Sequence, residues 1–497
     1  LGAISDTLVT IIRSIGGATS DSVVLIKIVL GASPVLGVIF VLSTLTVLGS
    51  MKLAPVSLSL IAAVLTSAPF QVLVSRVILD ALFLETFIPI PGIMILSTIL
   101  CTVCSIVLYD ELTRLFSIKI SLAATIATPM AALAYIFTAA HSAVSWTRPE
   151  LIARRVAIPW TLFVISFIVS LMITEADQAY LIASAILVFT MLLSFIDVIQ
   201  GVSRVSRISI FTRSNLLTKS LKIAIAAFAD YSLMMMSAIA YYSVMFFDKF
   251  LIWSKYGFPY FPLDSPSFIG MMPLFAGTLA AIRFWDSVEG KLDLLYRVDW
   301  DGMYALREFV MKAYWRGLTW TLVLAGLITA SIMLAIGISA HRTLGYISMA
   351  VLGALSFFMG LGAVKLPRKY AIPLLLTATG ALFLKVNFPS VSVLTTYLIG
   401  SLPGAIIVYT YPQLLTFRRD FEALLVTSAV PATELLVWKY FGEGFLPMSY
   451  LTGATLAAGL SLIFSIRIYR RISREAYRVV AYNAFVSYVT EIPRRWG

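Results

Sequence analysis

Continuous apolar runs of about twenty residues recur from one end of this 497-residue chain to the other. No soluble fold can keep so many such runs out of water, whereas each one is long enough to cross a bilayer as a helix. Candidate spans fall at 28–49, 53–75, 87–109, 119–141, 157–174, 178–200, 223–247, 266–285, 317–338, 343–363, 370–386, 391–415, 421–440 and 446–466. The expectation is an all-α polytopic membrane protein with about 14 transmembrane helices, twelve being the alternative. Composition agrees: 60% of residues are apolar and 12% are charged, about half the charged share of a soluble domain. A transmembrane barrel would alternate apolar and polar residues, and these runs do not alternate. Two cysteines cannot form a disulfide framework.

The net charge of +12 reads as basic loops, and nucleic acid is not expected as a partner. With the N-terminus inside, 29 of the 37 Lys and Arg residues fall on the cytoplasmic side of the fourteen spans. That bias places both termini in the cytoplasm of a multi-pass protein of the cytoplasmic membrane. The segment 201–222 (GVSRVSRISIFTRSNLLTKSLK) interleaves Arg and Lys with Val, Ile and Leu, as an interfacial amphipathic helix and linker would. It divides the chain into an N-terminal six-helix lobe at 1–200, the linker, and a C-terminal lobe at 223–415. Two further helices and a basic tail occupy 416–497, with those last two helices expected at the periphery. Residues 286–316 mix both charge signs with aromatics and predict a helix lying along the cytoplasmic surface. Span two, with Pro69, Arg76 and Asp80, is echoed by span eight, with Pro273, Arg283 and Asp286. Such an echo fits two bundles repeated in parallel.

Catalytic patterns are missing. His141 and His341 lie in no HExxH, and the sequence has neither a P-loop nor GxSxG, so no enzyme activity is expected. Cys101 and Cys104 share a helical face as CTVC and read as small apolar packers. No cofactor or metal is implied. Ionisable and helix-breaking residues inside the spans carry the remaining signal, because charge in hydrocarbon is retained where it faces a cavity, a partner or a permeation path. Asp230, within AAFADYSLMMM, is the clearest. With Tyr231, Tyr241 and Tyr242 it forms the candidate transport cavity, where a proton or Na⁺ could couple. Asp197 is expected to snorkel. Asp248 and Lys249 read equally as an interfacial ion pair or a functional one. Pro34, Pro69, Pro91, Pro129, Pro273, Pro373, Pro403 and Pro431 lie inside spans and favour bundles that bend or rock.

The stretch AIAYYSVMFFDKFLIWSKYGFPYFPLDSPSFIGMMPLFAGTLAAIRFWDSVEG resembles the Pel exopolysaccharide transporter family (PelG-like). The matching residues are Tyr241, Tyr242, Asp248, Lys249, Trp253, Asp264, Pro273, Asp286 and Glu289, with Arg283 in the same segment. SAPFQVLVSRVILDALF is similar to that family's second helix and places Pro69, Gln71, Arg76 and Asp80. YPQLLTFRRDFEALL at 411–425 resembles a late helix of the family. The resemblance implies the multidrug/oligosaccharidyl-lipid/polysaccharide exporter superfamily, with two six-helix lobes around a central cavity. It also implies a saccharide substrate and a glycosyltransferase or synthase complex as partner, in addition to membrane lipid.

The functional expectation is therefore an exporter or flippase that moves a polysaccharide or lipid-linked saccharide outward. The alternatives are a cation-coupled drug or small-molecule antiporter and a non-transporting scaffold subunit. The topology is checked by cysteine labelling at Ser203, Ser265 and Ser473. Ser265 is expected to react with an impermeant reagent from outside, and Ser203 and Ser473 only after permeabilisation. The reverse pattern contradicts the topology.

Overall fold

The computed structural model describes residues 54–83, 88–145, 155–156, 158–206, 214–258, 267, 270–292, 300–340 and 393–472. Apart from short turns these are helical, with no strand among the described residues. Seven of the described helices are long and apolar enough to cross a membrane, or eight if one bent pair counts as a single span. The chain is thus an all-helical multi-pass membrane protein. Spans expected at 28–49, 343–363 and 370–386, and the tail beyond 472, lie outside the described residues, as does Asp264.

Two compact units divide the chain. Unit 1 takes Leu1–Ser243, Trp253–Tyr260 and Val480–Gly497, and unit 2 takes Val244–Ile252 and Phe261–Val479. Unit 1 holds α1 (Ala54–Phe83), α2 (Pro89–Leu115), α3 (Leu122–Ser145), α4 (Ile158–Leu171), α5 (Ala176–Ser206), α6 (Ser214–Asp230) and α7 (Ser232–Ser243). α1 is its centre, with Leu58, Ala62, Leu73 and Ile78 fully buried. It packs along α3, whose alanines at 124, 127, 131 and 134 let the two backbones come close. Ser59 and Thr128 share a 2.7 Å hydrogen bond at that contact. The Trp160 indole of α4 donates to Thr138 at 2.9 Å, and the imidazole Nε2 of the buried His141 lies 3.1 Å from the Met191 carbonyl. On α2, Ile95, Ile99, Val103 and Val107 are exposed along one face at four-residue spacing, the pattern of a lipid-facing stripe. Cys104 is exposed and Cys101 buried, and both are free.

The basic segment continues its neighbours where it is described: residues 201–206 extend α5, and 214–222 open α6. α6 packs on α2 and α7 on α1, so contacts group 214–243 with unit 1, although the sequence boundary at 223 opens the second lobe there.

α8 (Phe247–Tyr256) follows α7. Unit 2 further holds a single 3-10 turn at Met272–Leu274, α9 (Phe275–Leu292), α10 (Trp300–Ala340), α11 (Val393–Thr416), α12 (Asp420–Phe441) and α13 (Leu446–Arg470). α11 is the buried axis, in contact with α9, α10, α12 and α13. A Cβ on Gly277 of α9 would strike the Ala405 carbonyl of α11, so only glycine permits this approach. Around Tyr409, the phenol donates to the Tyr314 carbonyl at 2.9 Å, and Tyr469 donates to Gln413 at 2.8 Å.

Two expectations need correction. Residues 286–316 do not form a separate surface helix: 286–292 complete α9, and 300–316 begin the 41-residue α10, which runs on through the ninth span. No proline interrupts residues 300–340, so nothing stops helix propagation there. The last two helices are also not both peripheral. α13 lies along α11 and α12 and buries Tyr450 and Tyr469, because its small residues Gly453, Ala454, Ala457 and Ala458 admit close packing.

The start of α2 shows how one side chain fixes a helix contact. Pro89 and Pro91 carry no N–H, which leaves the Gly92 N–H among the first-turn donors. Ser220 of α6 accepts from that N–H at 2.7 Å and donates to the Ile88 carbonyl at 2.5 Å. A Cβ on Gly92 would collide with the Ser220 backbone. Ser220→Ala is therefore expected to cost about 1–3 kcal/mol by stranding these groups. Gly92→Ala should lower the detergent-solubilised protein's Tm, whereas Gly459→Ala, which faces open space, should not.

Candidate functional site

The turn out of α7 delivers Asp248 and Lys249 into the first turn of α8, in unit 2. An acidic side chain suits that position, because the helix N-terminus presents partial positive charge. Both residues are completely buried. The Lys249 ammonium donates to the Asp248 carboxylate at 3.1 Å and to the Met245 carbonyl at 2.8 Å. Met271 Sδ lies 3.8 Å from Nζ, and the Tyr397 ring centroid 5.7 Å. The Tyr397 phenol of α11 donates a short hydrogen bond to the other Asp248 oxygen, and the Tyr397 and Tyr450 rings stack obliquely at 5.3 Å.

Into this group α12 brings Glu434, also fully buried. It is within electrostatic reach of Asp248, Lys249, Tyr397 and Tyr450. Neither carboxyl oxygen makes a hydrogen bond of normal geometry, and the Tyr450 hydroxyl lacks one as well. Residues of α8, α11, α12 and α13 therefore surround two carboxylates and one ammonium in a fully buried place. The pair was legible in the sequence as Asp248–Lys249, but it is a buried pair and not a solvated interfacial one. Glu434 and Tyr397 were missed as site residues. The signal for Glu434 was present: an acid three residues after Pro431, in the middle of an apolar span.

A second polar cluster lies in unit 1. Arg76 pairs with Asp80 one turn later on α1 at 3.1 Å, and Tyr231 donates to the same Asp80 oxygen at 2.8 Å. Nine residues back on α1, Gln71 hydrogen-bonds Ser67 at 2.9 Å, and the Tyr242 hydroxyl approaches it at 3.5 Å. Residues that the sequence singled out in two separate segments thus meet across α1 and α7. Tyr231 sits at the break where α6 and α7 bend by 62°. Asp230 ends α6 and is exposed there, with no hydrogen bond or ion pair among the described residues. It also precedes the N-terminus of α7, where its charge is favourable. Tyr241 and Tyr242 are half-buried and pack edge to face at 5.3 Å.

Among the other candidates, Trp253 is buried against Phe116 and Phe258. Pro69 lies inside α1, and Pro273 in the 3-10 turn before α9. The backbones of Arg283, Asp286 and Glu289 belong to α9, but their side chains, like that of Asp197, lie outside the described residues. Among the described residues no group of three or more His, Cys, Asp or Glu side chains is arranged to hold a metal.

No protein-family model matches the sequence, and no curated protein does. Solved structures do match. They include MATE in the bent conformation, with a TM-score of 0.52 at 13% identity over 92% of this chain and 97% of that one. A MATE mutant has a TM-score of 0.51 at 13% identity over 94% and 99%. MATE in complex with MaL6 has a TM-score of 0.50 at 13% identity over 92% and 97%. The chain therefore has the fold of these MATE structures. The PelG-like resemblance finds no counterpart in these matches.

A buried ion pair costs most when one partner is lost, because the other charge is then stranded. Asp248→Asn or Lys249→Met alone should destabilise the protein by about 3–5 kcal/mol. The double variant should recover much of that loss, as a thermal-unfolding double-mutant cycle would register.

Proposed function

We propose that the protein is an exporter of the cytoplasmic membrane that works by alternating access and draws on a cation gradient. The MATE-like fold supports the transport reading, and the neighbours being transporters supports a non-enzymatic role, in keeping with the missing catalytic motifs. The single observation that carries the coupling is Glu434: a carboxyl completely buried in the membrane-spanning part, in the same cluster as the buried Asp248–Lys249 pair. Such a group is costly in a membrane interior and is retained where its charge state is used. When the cluster gains or loses a cation its net charge changes. Of two conformations, the one that accommodates the new charge is favoured.

For the substrate, we favour a polysaccharide or lipid-linked saccharide, moved outward beside a polymerising glycosyltransferase. The segment around Asp248, Lys249 and Trp253 supports this, since it is where the sequence resembles exopolysaccharide transporters. A cation-coupled small-molecule antiporter is the second reading, favoured by the MATE fold itself. In either case the termini face the cytoplasm, as the basic loops imply.

Proteoliposomes with an imposed proton or sodium gradient test both readings, with a labelled oligosaccharide in one arm and a lipophilic fluorescent cation in the other. Gradient-driven flux of the oligosaccharide supports the first reading, and flux of the organic cation alone supports the second. Glu434→Gln should lower gradient-driven flux by on the order of a hundredfold, the effect of about 2.7 kcal/mol. Asp230→Asn should leave the fold intact and reduce flux as well, if the exposed carboxylate at the bend meets the transported species. Flux indifferent to both gradients would refute the coupling.

A further inference from the structure

The outer face of α13 is one continuous stripe. Leu456, Gly459 and Ile463 follow one another at helical spacing, and Arg467 and Arg470 prolong the same face, with Arg471 next to them. Leu456 is 54% exposed and Ile463 62% exposed, as suits side chains that meet lipid tails. Gly459 lies between them, and a Cβ there would meet nothing within 4 Å. Glycine weakens a helix interior, and no packed neighbour calls for it at this place. Its bare backbone leaves a notch in the apolar part of the stripe.

All three arginines are exposed, and none has a side-chain hydrogen bond or ion pair among the described residues. The arginines nearby are different. Phe417 packs on Tyr469 at 5.9 Å, which puts the start of α12 at this same end. There Arg419 pairs with Glu422 at 3.0 Å and Arg418 with Asp420 at 3.8 Å. The C-terminus of α13 offsets only about half an elementary charge, so most of three positive charges is left for a ligand. The lipid-facing stripe of α2 ends in the opposite way, in Asp110 and Glu111, which Arg114 bridges at 2.6 and 3.7 Å.

Length agrees with charge. Leu456 and Arg467 are eleven residues apart, about 16 Å at the helical rise, close to the ~15 Å of hydrocarbon in one leaflet. An amphiphile with its anionic head on the arginines therefore meets an apolar wall as long as its chains. A soluble anion would use the arginines alone.

We propose that this face of α13 binds an anionic phospholipid, its phosphate held by Arg467, Arg470 and Arg471 and one acyl chain lying in the notch at Gly459 between Leu456 and Ile463. Guanidinium–phosphate hydrogen bonds are charge-assisted and two-pronged. A zwitterionic headgroup brings its own cation, which competes for the phosphate. With the C-terminus inside, the lipid belongs to the cytoplasmic leaflet. Its binding is independent of what the protein transports.

Photolabelling of the purified full chain tests this without a transport substrate. The probe is phosphatidylglycerol with a diazirine near the end of one acyl chain, diluted into phosphatidylcholine nanodiscs, and cross-linked peptides are mapped by mass spectrometry. Saturable labelling is expected within 452–463, displaced by unlabelled phosphatidylglycerol and by neither extra phosphatidylcholine nor inorganic phosphate. Changing one arginine to Gln should weaken binding about fivefold, and Arg467→Gln, Arg470→Gln and Arg471→Gln together on the order of a hundredfold. Gly459→Leu, which fills the notch, should lower the labelling, and Arg114→Gln should not. Should the triple variant fail to fold, Arg467→Gln alone still decides. Equal labelling by a phosphatidylcholine probe, displacement by inorganic phosphate, or labelling indifferent to loss of the arginines overturns the proposal.

Discussion

The ion pair between Asp248 and Lys249 is the interaction on which the chemistry of unit 2 depends. Two adjacent residues at the start of a short helix are removed completely from solvent, and each is tolerable only because the other is there. Their burial needs α11 to supply a phenol to the carboxylate, and α12 to close the site with Glu434. The buried axis α11 serves both purposes. Its Gly400 lets Tyr450 of α13 approach closely, Gly277 of α9 lies against its Ala405 carbonyl, and its Tyr397 donates to Asp248. Packing and polar chemistry are therefore set by the same helix.

Unit 1 uses polar groups in another way. Its hydrogen bonds join helices in pairs: Ser59 to Thr128, Trp160 to Thr138, and Ser220 to both Ile88 and Gly92. The Arg76–Asp80–Tyr231 cluster fastens the bend between α6 and α7 to α1. A break of 62° held by a carboxylate and a phenol is a fixed feature of the packing, since the tyrosine at the break is itself buried.

Most of the fold was legible because a bilayer reduces the problem to counting apolar runs. The long described helices fall on the expected spans, including α12, which contains both Pro431 and Glu434, whereas the short α8 lies where a loop was expected. What the runs could not reveal was where a helix continues past the membrane, as α10 does, or which helices pack centrally, as α13 does. Both depend on tertiary contact, which hydropathy does not encode. The site was half legible. Asp230 drew attention by its isolation in an apolar run, yet it is exposed at the bend. Asp248 and Lys249 look like surface residues in sequence because they flank a loop. Their burial follows from partners about 150 residues away or more, which no local pattern announces. Asp80 and Tyr231 show the same: each was singled out in its own segment, and only the packing of the α6–α7 break on α1 joins them.

The proposed coupling rests on Glu434, and gradient-driven flux through the purified protein measures it most directly. In proteoliposomes the wild type is expected to move substrate under an imposed proton or sodium gradient, and Glu434→Gln to lose that flux on the order of a hundredfold while keeping its fold. Equal flux through both proteins, or flux indifferent to both gradients, would contradict the coupling.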